Sequence, residues 1–353
     1  DGSIYKIYPK NILPPLKQYQ NNVTHKKIVC KTELMPIMSK SGYIYCVYPK
    51  TALTVINVLN WSIDHPEMPK IELRFQDLSG LNFEYTNLSN SDFKRSNFDT
   101  AKISNVNFTR ANLSYIDLSG NDLTGTILTG ADLSNANLTG VDLSGKDLTK
   151  TGLSGVDLSD VDLTETILTG ADLSNANLTG VDLSGKDLTG TILTGVDLSG
   201  KDLTGTILTG SDLSNANLTD VDLSGKDLTG KKLVGVDLSG MDLTGTILVG
   251  ADLSYANLTG VDLSGKDLSG TILAEADLSN ANLIDANLVD ANLQNTDLRF
   301  TLLVDANLTN AILTGADLSN AILTGTVLVG ADLENAVLTN AILNCVGHPV
   351  CVT

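Results

Sequence analysis

From Leu73 to Leu343 every fifth residue is Leu, Phe or Ile, an unbroken phase over 55 successive positions. A period of five matches neither the 3.6 of an amphipathic helix nor the 2 of a half-buried strand. Within each pentad the residue two before the central one is mostly small (Ala, Val, Thr or Ser), as in ADLSN-ANLTG-VDLSG at 131–145. Residues two apart share one side of an extended segment, so the small residue and the central Leu face inward together. The Asp or Asn before the Leu and the Ser or Thr after it face outward. The Gly or Asn that follows permits a corner at positive φ. One short side and one corner, repeated, make a solenoid.

A longer period sets the number of sides. Block 131–170 matches block 171–210 at 34 of 40 positions. Position 20k+6 alternates Thr126, Lys146, Thr166, Lys186, Thr206, Lys226, Thr246, Lys266. Asp recurs at Asp122, Asp142, Asp162, Asp182, Asp202, Asp222, Asp242 and Asp262, and Thr at every twentieth residue from Thr109 to Thr229. Columns spaced by 20 predict four pentads per coil.

This tandem A(D/N)LXX pattern resembles the pentapeptide-repeat family. The resemblance implies an all-β fold, a right-handed four-sided β-helix, here of about 13 to 14 coils. Coils stacked at ladder separation, about 4.8 Å, give a rod on the order of 65 Å long. Phe83, Phe93, Phe98 and Phe108 hold central positions in the first coils. Two readings stand for them: a widened, sealing terminal coil, or drift in an older part of the array. The expected organisation is an extended arm at 1–29, a small Cys-bounded α+β head at 30–70, the β-helix at 71–343 and a C-terminal cap at 344–353.

Hydrophobic residues are 42% of the chain, which excludes charge-driven disorder. No apolar run approaches the ~18 residues a membrane helix needs. The net charge of −18 argues against nucleic acid as a partner. Residues 1–70 carry +5 and the remainder −23, so a basic head joins an acidic body. The chain starts at Asp1, which reads as a mature protein after removal of a signal segment.

The head is read as a hairpin over 33–48, turning at Ser41-Gly42, followed by a helix near 50–61. Four Cys in two local pairs predict disulfides Cys30–Cys46 and Cys345–Cys351 in an oxidising compartment. The stretch Cys30-Lys31…Ile37…Lys40…Gly42…Cys46-Val47…Pro49…Trp61 resembles a short Cys-bounded module of secreted proteins from ammonia-oxidising archaea, which implies an extracellular or cell-surface location. Ser3-Ile4-Tyr5-Lys6-Ile7-Tyr8 alternates like a strand. Residues 1–29 are thus either a loose tail or an arm that adds to a neighbour's sheet edge, with Ile4, Tyr5, Ile7 and Tyr8 as contacts.

No nucleophile–base pairing and no phosphate-cradling loop is proposed from spacing, and His25, His65 and His348 lie outside the repeats, so no catalysis and no cofactor are expected. Four features of the rod bear on binding. The Asp column from Asp122 to Asp262 either holds Ca2+ or other cations and meets a basic surface, or is the repeat's default outward residue screened by salt. Lys146, Lys186, Lys201, Lys226, Lys231 and Lys266 stand at inward positions, where the stem is expected along the wall with the head escaping toward a corner Asp; a covalent Lys cross-link is the rarer outcome. Asn-X-Ser/Thr triplets at Asn22, Asn60, Asn87, Asn107, Asn112, Asn137, Asn177, Asn217, Asn257 and Asn307 are glycan candidates, although the repeat generates such triplets by itself. Leu302, Ile312, Ile322, Val327, Val337 and Ile342 replace outward Asp or Asn near the C-terminus, and a contiguous apolar contact surface is expected there.

The function expected is a secreted, non-enzymatic structural subunit that joins copies of itself head-to-tail into a filament or surface array, with other cell-surface proteins or glycans as further partners. The family resemblance implies an alternative, an acidic rod that mimics DNA and binds a type II topoisomerase. A minor alternative is ice or polysaccharide binding by the Thr column beside Ile127, Ile167 and Ile207.

Overall fold

The computed structural model describes residues 72–351 and the backbone of two short strands, β1 (Met35–Met38) and β2 (Ile44–Val47). β1 and β2 pair antiparallel, Met35 opposite Val47 and Met38 opposite Ile44, which centres the hairpin on Ser41. The arm at 1–29 with Ile4, Tyr5, Ile7 and Tyr8, the helix near 50–61, the Cys30–Cys46 pairing and the triplets at Asn22 and Asn60 lie outside the described residues.

From Glu72 the chain winds into four-sided coils. Every bridge between neighbouring coils is parallel and joins residues 20 apart, from Glu72–Asp92 to Ile322–Ile342; only the last, Val327–Val346, is one residue shorter. Local chemistry makes each corner. The carbonyl of the central residue accepts the N–H three residues on, as from Ala136 to Leu133 at 2.9 Å. The residue at the bend takes a left-handed φ, 57° at Asn135 and 65° at Gly145, which Asn and Gly adopt at least cost. The outward Asp or Asn completes the turn: Asp132 Oδ1 accepts the Ser134 N–H at 3.0 Å. Asp and Asn therefore recur because they satisfy a corner amide, and only secondarily because they face water.

Inside, the central Leu column and the small column fill the coil and are nearly all buried. Phe83, Phe93, Phe98 and Phe108 are at most 1% exposed. Phe98 packs edge-on against Phe93 and Phe108, with centroids 5.5 and 6.3 Å away, and lies 5.8 Å from Phe83. Rings that interlock in this way form one aromatic plug, which favours the sealing role over drift.

The four faces are named here by their outward residues: face one carries Asp132 and its 20-residue relatives, face two Asn137, face three Asp142 and face four Asp147. In a closed ladder the outward N–H donates back one coil, Asp132 to Ala111 at 2.8 Å, and the central N–H donates forward, Leu133 to Gly152 at 2.7 Å. Face one is closed from Glu72 to Asp332. Face three has no bridge between Lys102 and Asp262, while faces two and four are bridged at alternate coils through the middle of the rod.

The residue at the incoming small position accounts for this pattern. From residue 117 to residue 342 a bridge forms wherever the next coil brings Ala, Ser or Thr there, and is absent wherever it brings Val, Met or Lys, with Lys231 the one exception. Volume alone cannot explain it, because Thr and Val have the same shape. Thr adds a tie that Val cannot, Thr166 Oγ1 donating to the Leu143 carbonyl one coil back at 3.0 Å and Thr151 to that of Leu128 at 3.0 Å, whereas Ala closes its ladders with no such donor. Face three carries Val141, Val161, Val181, Val221 and Val261 in this position. After Val261 the position turns to Ala281, Thr301, Ala321 and Ala341, and face three closes.

Candidate interaction surfaces

The Asp column stands on face three, along the unbridged stretch, and every member is exposed. Each carboxylate keeps one oxygen for its own turn: Asp122 Oδ1 accepts the Thr124 N–H at 2.8 Å, and Asp202 Oδ1 that of Thr204 at 2.7 Å. These hydrogen bonds from the hydroxyl and amide two residues on hold the carboxyls below the usual range. The like-charged neighbour acts the other way at Asp162, Asp202 and Asp222, and is outweighed. Among the described residues no three His, Cys, Asp or Glu side chains converge into a group fit to hold a metal ion.

A depressed carboxyl pKa contributes stability that is full above the unfolded value and lost as pH falls through the folded value. The thermal midpoint is therefore expected to be level at neutral pH and to drop steadily below about pH 4, the ordinary Asp range. A midpoint that rises on acidification, through relief of charge repulsion, would contradict this.

The inward lysines correct the sequence expectation. The heads of five of them bind backbone carbonyls in place of a corner Asp. Lys146 Nζ donates to the Leu123 carbonyl at 2.7 Å, Lys226 to that of Leu203 at 2.6 Å, and Lys186 to that of Leu163 at 2.5 Å. Lys201 reaches the carbonyls of Leu178 and Val181 at 2.6 and 2.9 Å, and Lys266 that of Thr246 at 3.3 Å. Lys231 is buried, and its charge helps to lower the carboxyl of Asp227. The reason is the second lone pair of the central carbonyl, whose first accepts the turn amide. On face four Thr and Lys thus hold equivalent face-three carbonyls at alternate coils, Thr166 that of Leu143 and Lys146 that of Leu123.

The triplets at Asn87, Asn107, Asn112, Asn137, Asn177, Asn217, Asn257 and Asn307 are used locally. Asn137 Oδ1 accepts both the N–H and the hydroxyl of Thr139, at 3.1 and 2.7 Å. Asn177 and Asn217 also donate Nδ2 to Asp157 and Asp197 one coil back, each at 2.9 Å.

The apolar outward residues near the C-terminus do not form one surface, which is a second correction. Leu302, Ile322 and Ile342 stack on face three, Ile312 lies on face one, Val337 on face two and Val327 on face four. Taking these numbers modulo 20 would have separated them from sequence. Val327 is bridged to Val346 of the terminal loop, which Cys345 and Cys351 close with a disulfide. The Thr column beside Ile127, Ile167 and Ile207 is on face four, and Asp147, Asp187 and Asp227 interrupt the Ile at every second coil.

The basic exception to the acidic rod lies in its first coils. Arg74 is paired with Asp92 at 2.5 Å. Lys94 Nζ and the Arg95 guanidinium lie 5.3 and 4.7 Å from the centroid of the Tyr115 ring.

A stack of four-sided coils with filled interiors presents faces, edges and ends, so the class it defines is a repeat solenoid that acts through its surfaces. The chain belongs to the pentapeptide-repeat family: the family's pattern, described as pentapeptide repeats, matches in eight copies, from 77–114 through to 301–344. Such proteins are generally structural or binding proteins rather than enzymes. No curated protein matches the sequence. Among solved structures it is similar to HetL of the cyanobacterium Nostoc, a pentapeptide-repeat protein involved in heterocyst differentiation regulation, at 25% identity over 78% of this chain and 89% of that one, TM-score 0.25. It is also similar to Rfr23 of the cyanobacterium Cyanothece, at 35% identity over 35% and 90% of the two chains, TM-score 0.16. A third likeness is to QnrB1, a plasmid-mediated fluoroquinolone resistance protein, at 15% identity over 77% and 91%, TM-score 0.13. No helix among the described residues is long and apolar enough to cross a membrane.

Proposed function

We propose that this protein is a secreted, non-catalytic structural subunit whose rods join head-to-tail into a filament or cell-surface array. The open end of the last coil carries the reading. Mid-rod central residues such as Leu188 and Leu193 are fully buried, whereas Leu333, Leu338 and Leu343, with Ala336 and Ala341, are only partly covered. Their coil has no successor on three faces, because the terminal loop bridges face four alone, through Val346 N–H to Thr326 at 2.9 Å. An apolar cross-section rimmed by unpaired strand edges favours addition of another chain. The first coil differs, with Leu73 4% and Leu78 1% exposed, so the two ends are not equivalent. The extracellular setting is supported by the Cys345–Cys351 disulfide and by the likeness of residues 30–61 to a module of secreted proteins.

The test is electron microscopy of the native, non-reduced protein beside Leu338→Asp, a change confined to the last coil, with circular dichroism checking that the rod stays folded. Filaments from the native chain and single rods from the variant are expected. Isolated rods, or two-fold dimers joined tail to tail, in the native sample at high concentration would overturn the reading.

A further inference from the structure

The edge that follows face one in the first coils differs from other edges of the rod. Its corner residues are Phe75, Arg95 and Tyr115 in three successive coils, after which Asn and Gly take over until Tyr255. All three hold a left-handed φ, 58°, 58° and 60°, where a bulky side chain is disfavoured and Gly or Asn would sit more easily. Here the side chains stand in solvent: Phe75 is 65% and Tyr115 45% exposed. Arg74 and Lys94 occupy the adjoining outward position on the same two coils as Phe75 and Arg95. Two exposed rings and three cations thus share one edge of an otherwise acidic rod.

The matching surface is on the same molecule. Face three presents one exposed Asp per coil from Asp122 to Asp262, and the cations of the edge are likewise one coil apart. Two copies laid side by side have equal pitch, so one cation–carboxylate contact in register brings the next into register. Intramolecular contact is impossible, since the edge and the column occupy different coils of one rigid stack. We propose that this cationic–aromatic edge docks on the Asp face of a second copy of the chain, so that rods associate laterally. The contact uses a side surface and stands apart from end-to-end joining.

Net charge works against such pairing at long range, but contact pairs outlast the screening that removes long-range repulsion. The full chain is therefore to be followed by sedimentation velocity at about 0.1 M and about 1 M salt, where the Debye length falls from ~10 to ~3 Å. Concentration-dependent association is expected at the lower salt and its loss at the higher. K94E/R95E should weaken it on the order of tenfold or more. D162N/D182N/D202N, which removes charge but keeps the turn acceptor that Asn provides elsewhere in the repeat, should weaken it comparably, with circular dichroism unchanged. Leu338→Asp should leave it intact, which separates this contact from the filament joint. Association that survives 1 M salt, indifference to both sets of variants, or a monomer at low salt that instead retains single-stranded DNA would overturn the proposal.

Discussion

The amide hydrogens of Leu143, Leu163, Leu183, Leu203 and Leu223 are expected to exchange with solvent roughly 100-fold faster than those of Leu133, Leu153, Leu173, Leu193 and Leu213, although both sets belong to equally buried side chains. The first set lies on face three, where no coil-to-coil bridge forms; each member of the second donates to the next coil on face one, at 2.7–2.9 Å. Residue-resolved hydrogen exchange reads the difference directly. The same experiment tests its cause. Val181→Thr supplies a hydroxyl at the position where Thr elsewhere accompanies a closed bridge, and should move the Leu163 amide into the protected set. Thr166→Val should do the opposite to Leu148, whose N–H donates to Ile167 at 2.8 Å, and should cost about 1–3 kcal/mol for the carbonyl left without its donor. If Leu163 stays fast in Val181→Thr, the residue at the incoming small position does not govern closure and the account of face three fails.

Phe98→Ala is expected to lower stability by about 3–5 kcal/mol, the cost of removing a buried ring from a packed interior. Phe98 touches three other rings of the plug, so the space left cannot be refilled by a neighbouring Leu. In a solenoid each coil is held mainly by the coils on either side, so the loss should open the N-terminal coils before the middle of the rod. Phe98→Leu restores the residue used at this position in most other coils and should still cost about 1–2 kcal/mol, because its partners remain Phe. Denaturant unfolding of the two variants checks both values. A neutral Phe98→Leu would mean that the rings are drift after all.

The acid and face-three experiments bear on one surface from two sides. The carboxylates there are held below the usual range by their own turns, and the backbone beside them is unbridged from Lys102 to Asp262. Face three is thus the rod's most highly charged and least tightly tied side through its middle third. The lateral contact proposed for it requires the charge and is indifferent to the missing bridges, so the two sets of results are independent.

The period of five, the four pentads per coil, the buried Leu column and the left-handed corners were legible in the sequence because each depends on residues within one pentad or on a strict 20-residue column. Asp132 with Ser134 makes the same turn whatever coil lies above it. The closure of each face was not legible, since it depends on how the incoming residue, Val141 or Thr166, meets the preceding coil, where the Thr166 hydroxyl reaches a carbonyl 23 residues back in the chain. The destination of Lys146 was hidden likewise: composition offers an Asp, and only the stacked backbone brings the Leu123 carbonyl within 2.7 Å. At the C-terminus sequence could show that Leu302 to Ile342 were apolar. Their 20-residue spacing also separates them onto four faces; only the stack decided that Leu333, Leu338 and Leu343 stay partly open, because a central residue is sealed by the coils before and after it.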